Sequence, residues 1–250
     1  MESVKGNKQL GLSLIELLIG LFLISLISAM LIQAYTINKY QYLSVQKKLE
    51  HHFDAQWISN LLGDSVRRAG FTPCLNIEQL EVMDRRKSPK FIEGGAIQIQ
   101  QDGFRVNRMS EHFAEMITIV HPQKILVSQE MNVHKQYTLL IADCEHAEIH
   151  RLIQIEKTAQ GFLLTLDAPL LFSYSSLTYV GQWLEEFWFI KRNKEGVPAL
   201  YYKQSHSEEL SSFIHSLSIK KRLLSGKQIL DISLGLDNQH TQRLTVSIRT

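Results

Sequence analysis

The chain has 250 residues, 44% hydrophobic and 21% charged, a balance ordinary for a folded protein that excludes a wholly disordered one. Its net charge of +2 gives no compositional push toward nucleic acid. The length allows one or two domains.

The apolar residues are concentrated at one end. Residues 12–32 contain one charge, Glu16, and no proline. As a helix rising about 1.5 Å per residue, this run reaches about 31 Å, enough to cross a bilayer core. No later window is comparably apolar, so a single span is expected. Lys5 and Lys8 precede it, which favours a cytoplasmic N-terminus and places the rest of the chain outside the cytoplasm. The run is longer than the roughly 7–15 residues of a cleavable secretory signal, and it ends in "MLIQAYTINKY", without an A-x-A pattern. Glu16 is the anomaly: a charge at mid-bilayer costs about 2.5–3.5 kcal/mol.

The helix is predicted to continue to about Ala69. Val45, Leu49, Phe53, Trp57 and Leu61 recur four apart, and Ile58, Leu62, Val66 and Ala69 run alongside, so residues 33–70 read as an amphipathic half that needs a domain to lie on. Arg67 and Arg68, then Gly70 and Pro73, mark the stop. Such a rod is about 85 Å long. Residues 71–250 read as a β-rich globular domain. Residues 75–95 look like loop. From Ala96 the texture alternates: "AIQIQQDGFRVNR" turns at Asp102-Gly103, and short β candidates follow through "MITIV", "KILVS", "YTLLIA", "EIHRLIQI" and "GFLLTLDAPLL". A hairpin is expected to turn at Asn193 to Gly196, and three further strands close the chain. The fold class expected is α+β: one long N-terminal helix packed on a mostly antiparallel β domain. Cys74 and Cys144, an even pair outside the cytoplasm, read as one disulfide closing a loop of 71 residues, counted from 74 to 144.

At residues 11–18, "GLSLIELL" follows lysines and leads into the apolar run. This pattern resembles the class III signal of type IV prepilins and of type II secretion pseudopilins. The resemblance implies a pilin-like fold and cleavage by a prepilin peptidase after Gly11. Residues 1–11 would be the leader and Leu12 the N-methylated mature N-terminus. Leu12 stands where phenylalanine is more usual. Glycine leaves the scissile bond uncrowded. The free amine of Leu12 in a neighbouring subunit would neutralise Glu16 during assembly; the alternative is a Glu16 that snorkels to the headgroups. "VRRAGFTPC" (residues 66–74) and "IADCEHAEIHRL" (residues 141–152) resemble two segments of PilW-type minor pilins, in which the first ends the helix and the second carries Asp-Cys on a later strand.

The function this implies is a minor pilin that primes or caps a type IV pilus and supports adhesion, motility or DNA uptake. Its partners would be the prepilin peptidase, other minor pilins, the major pilin, the inner-membrane assembly platform and the lipid bilayer. Its place would be the inner membrane, single-pass, with a periplasmic C-terminal domain and possible entry into the pilus. A J-type secretion pseudopilin is the competing family reading. A membrane-tethered periplasmic enzyme or sensor is the competing class.

Other constellations carry less. Cys144, His146 and His150, spaced to share a strand face, would suit zinc, but an oxidised Cys144 cannot ligate, so no metal is expected. His51 and His52 read as surface. No nucleophile elbow, phosphate loop or catalytic carboxylate pair is evident among Asp64, Asp84, Asp102, Glu185 and Glu186, so no catalysis and no cofactor are expected. The basic run "IKKRLLSGK" (residues 219–227) reads as a solvated strand end, with nucleic acid left open. Trp57, Trp183 and Trp188 read as core or interface.

Overall fold

A computed structural model describes residues 14–92, 95–128, 137–174, 177–224, 226–236 and 240–248. It is an α+β protein: one long N-terminal helix, α1 (Leu14–Arg67), followed by a mostly antiparallel β domain. The chain divides into two compact units at Phe53/Asp54.

The first unit is α1 up to Phe53. Leucine and isoleucine predominate, proline is absent, and two of the hydroxyls that could compete with the backbone are absorbed by it. Ser25 Oγ donates to Phe22 O (2.7 Å) and Thr36 Oγ1 to Gln33 O (2.8 Å). Among its described residues, all but Gly20 and His51 are exposed, so side chains such as Leu21, Phe22 and Ile24 face outward on every side. By length and composition this is a candidate membrane span.

The second unit holds the last turns of α1 and the strands. Ala55, Ile58, Ser59, Leu62, Ser65 and Val66 are buried, and Ala69 follows them. This corrects the expected stripe. Val45, Leu49, Phe53 and Trp57 are about half exposed or more, with Trp57 at 54%. A row spaced strictly by four drifts about 40° per step, so Trp57 points about 120° away from Val45. The buried set combines steps of three with steps of one, so its members recur three or four residues apart, near the helical repeat, and hold one face.

The first sheet contains β1 (Glu81–Asp84), β2 (Lys90–Phe91), β3 (Ile97–Gln100), β4 (Gly103–His121), β5 (Lys124–Val127), β6 (Thr138–Ala142), β7 (His146–Thr158), β8 (Gly161–Leu166), β9 (Tyr179–Arg192), β10 (Pro198–Lys203) and β11 (Ser207–Ser211). The second is β12 (Ser216–Leu224), β13 (Lys227–Gly235) and β14 (Thr241–Ser247), in that order. Residues 75–95 are therefore not simply loop: they contain a 3-10 turn (Ile77–Gln79), β1 and β2. β1 pairs parallel with β7, which draws this segment into the sheet.

Two long strands change partners along their length. β4 pairs with β9 through Glu115 and with β5 from Met116; β7 pairs with β6 to Arg151 and with β8 from Leu152. Since β5 pairs with β8 and β6 with β9, the antiparallel pairs close a ring, β9-β4-β5-β8-β7-β6-β9. Its own apolar core includes Ile125, Leu139, Ile141, Leu152, Leu164 and Val180. A closed ring removes exposed sheet edges.

β3, β10 and β11 extend the β4–β9 pair into an open wing. From Leu184 to Phe189 on β9 the even positions face inward: Leu184, Glu186 and Trp188 are buried, whereas Glu185, Phe187 and Phe189 are only half-buried. The larger core gathers the end of α1 (Ile58, Leu62, Val66), Phe104 and Trp188 of the wing, and Leu230 and Ile232 of the second sheet. The β3–β4 hairpin reverses at Gln101-Asp102, one residue earlier than expected. Gly103 opens β4 because a Cβ there would lie 1.9 Å from Trp188 O.

Candidate functional site at the disulfide-linked helix end

Gly11 and Leu12 lie outside the described residues. Glu16 is in the first turn of α1, on an exposed stretch. The two segments singled out in the sequence meet where the helix ends.

The first of them ends the helix by satisfying its last backbone groups. Ala69 O accepts from Asn76 Nδ2 (3.2 Å). Gly70 takes φ +71°, where a Cβ would crowd the Asn76 side chain at 2.3 Å and Ala96 at 2.7 Å, so only glycine fits. Its N–H donates to Asn107 O (2.8 Å), and Met109 N–H donates to Phe71 O (2.8 Å), which sews the segment leaving the helix to β4. Thr72, fully buried, donates its hydroxyl to Leu75 O. Arg67 pairs with Asp64 (2.5 Å), and Arg68 with Glu111 on β4 (3.3 Å).

The second segment builds a turn, not a strand, around its cysteine. β6 ends at Ala142 and β7 begins at His146, so Cys144 lies between them, against expectation. Asp143 is the cause. Its Oδ1 accepts from the N–H groups of Glu145 (2.8 Å) and His146 (2.7 Å), folding the backbone over a buried carboxylate. Cys144 is thereby presented to Cys74, and the two form a disulfide with Cα atoms 5.3 Å apart. Glu145 O accepts from Glu81 N–H (3.0 Å), at the start of the parallel β1–β7 pair.

With its sulfur bonded, Cys144 offers no thiolate to a metal. His146 stacks on Phe172, centroids 4.5 Å apart. His150 is fully buried, its Nε2 3.0 Å from Glu148 Oε2 and its Nδ1 3.4 Å from Asp167 Oδ1. Glu148 is also fully buried. It accepts from the N–H groups of Leu171 and Phe172 (2.9 Å each) and from Tyr174 OH (3.1 Å). Burial alone would raise its pKa; the bonds from His150, Phe172 and Leu171 outweigh that and hold the carboxyl below its ordinary value. Burial, then Glu148, drive the Tyr174 phenol upward. This network fastens residues 167–174 across β7.

A second buried charge joins the helix to the sheet. Ser65 Oγ donates to Glu186 Oε2 (2.5 Å), Arg108 Nε donates to Oε1 (2.8 Å), and Trp188 Nε1 donates to Ser65 Oγ (3.3 Å). Period-two alternation flags Glu186, since it takes an inward position between Leu184 and Trp188. Glu185, on the opposite face, pairs with Arg86 (2.9 Å). In the basic run, Lys221 pairs with Glu78 (3.1 Å) and Arg222 with Asp231 (2.5 Å). Trp183 and Trp188 are core, while Trp57 is exposed. His51 is half-buried and His52 exposed. Among the described residues no cluster of His, Cys, Asp and Glu has a metal-holding arrangement.

Within the second unit, the last turns of α1 are thus fastened to the strands by a disulfide, a helix-ending glycine and the buried Ser65–Glu186–Arg108 network. No known protein family, curated protein or solved structure matches this chain.

Proposed function

We propose that the chain is a minor pilin, made as a precursor, cut after Gly11 and held by one span in the inner membrane with its β domain in the periplasm. The observation that carries this reading is the division of one helix into two surfaces. From Leu14 to Ile32 it is predominantly apolar and exposed, with Glu16 near its start. From Ala55 onward one face is covered by a domain joined through Cys74–Cys144. A greasy half with a lone acid suits lateral packing among like helices in lipid, and a covered half suits display of a folded module.

In this reading Leu12 becomes the methylated N-terminus, and Glu16 is neutralised by the amine of a neighbouring subunit. The chain holds early subunits in register with other minor pilins and the major pilin, on the assembly platform. It does its work by binding. Deleting the gene and counting surface pili tests this: pilus number should fall sharply while secretion continues. Loss of secretion with normal pili would move the chain to the secretion pseudopilins. Retention of both would contradict the filament reading.

A further inference from the structure

The outer face of the open wing carries a row of rings beside a cluster in which cations outnumber carboxylates. Phe187 and Phe189 of β9 stack with centroids 4.6 Å apart and planes 15° apart. Phe189 and Tyr201 of β10 follow at 5.7 Å and 22°. All three are half-buried, on the side of the sheet away from α1 and the larger core. Directly opposite Phe187 stand Arg105 on β4 and Lys203 on β10, so one line across three strands reads cation, ring, cation.

The same face runs into a cleft of about 430 Å³ whose walls include Arg86, Lys87, Lys90, Arg105 and Arg151. Its carboxylates are Asp84 and Glu185, and both are engaged by Arg86, at 2.7 Å and 2.9 Å. Arg105 is 3.7 Å from Glu185. Among the described residues Lys87 and Lys90 make no ion pair with a carboxylate, and Arg151 acts on Asp84 only across the cleft while its backbone N–H donates to Asp167 Oδ1 (3.0 Å). Tyr201, at the far end of the row, donates its hydroxyl to Glu209 Oε2 on β11 (3.0 Å), so the positive surplus lies at the cleft end, beside Phe187, next to near-parallel rings that are not sealed into the core.

We infer that this face binds single-stranded nucleic acid, with the cleft cations on the phosphates and the Phe187–Phe189–Tyr201 row stacking on bases. Cations alone would suit any polyanion; the rings favour one that carries its own planar groups, and an unpaired strand leaves those groups free. The inference stands apart from the filament reading, since it uses only the β domain's own surface.

The test uses the full chain in detergent micelles and a fluorescein-labelled oligothymidine, read by fluorescence anisotropy. With about four phosphates neutralised, affinity should fall about fiftyfold between 50 and 200 mM salt. The Lys90→Glu/Arg151→Glu variant should bind at least tenfold more weakly and with a shallower salt slope. Phe187→Leu keeps apolar bulk, so the sheet should stay folded by circular dichroism; it should weaken binding about fivefold or more with the slope unchanged. Duplex DNA and heparin should compete poorly. No binding to the wild type would overturn the inference. So would heparin competing as well as the oligonucleotide while Phe187→Leu binds normally, because the face would then be a general polyanion surface.

Discussion

Glu148 is a fully buried carboxylate whose acceptors are filled by two backbone N–H groups, a phenol and a histidine. Glu148→Gln would turn an amide NH₂ toward those donors. Charge-assisted bonds of this kind contribute about 1.5–3 kcal/mol each, and the expected loss of stability by thermal or urea unfolding is about 2–3 kcal/mol. The folded-state pKa of Glu148 is depressed from its ordinary value of 4.5. Its contribution is therefore full above that value and drains away as the pH falls through the folded pKa. Wild type should lose stability across this acid window more steeply than Glu148→Gln; parallel curves would show that the carboxylate has no such role. The disulfide gives a second expectation at this scale. Closing 71 residues, counted from Cys74 to Cys144, stabilises by about 4 kcal/mol in the chain-entropy picture. Cys74→Ser and Cys144→Ser should each lower the steady-state level to the same extent, and the double variant should be no worse. A double variant clearly below either single one would mean that the cysteines act separately.

At the scale of elements, the last turns of α1 bear on the β domain while the preceding rows stay open. Leu62→Ala, at a fully buried site, should cost about 2–5 kcal/mol. Trp57→Ala, at a site 54% exposed, should change the stability of the isolated chain by no more than about 0.5 kcal/mol. Equal costs would put the buried face elsewhere. At the other end, Glu16→Ala removes a charge from an apolar helix, so membrane insertion should persist while co-purification with partner pilins falls. Undiminished co-purification would remove the role given to this acid. The elements legible in the sequence were those with long periodic signals: the helix, its stop at Arg67 to Gly70, and strands with apolar alternation such as β9 and β13. β1 and β2 are four and two residues long, too short to show a period. β11, "SEELS", lacks an apolar face. Cys144 sits in a turn because the Asp143 side chain competes for the backbone, which alternation does not register.

For the whole molecule, the ring of six strands was not legible, because β4 and β7 each serve two partners and only the paired backbone shows where they change. The disulfide pairing was legible, since two cysteines allow only one bridge within the chain. The buried ion pairs were not, because Arg108 and Glu186 are 78 residues apart and meet only through the β4–β9 register. The filament reading rests on the helix and its leader, so the decisive site lies at residues 11–16. Gly11→Val should block processing and leave the precursor in the membrane. The most direct measurement is the mass of the N-terminal peptide of the protein isolated from membranes that contain a prepilin peptidase. The account predicts a chain beginning at Leu12 and carrying one added methyl group. A chain that keeps residues 1–11 under those conditions would contradict it.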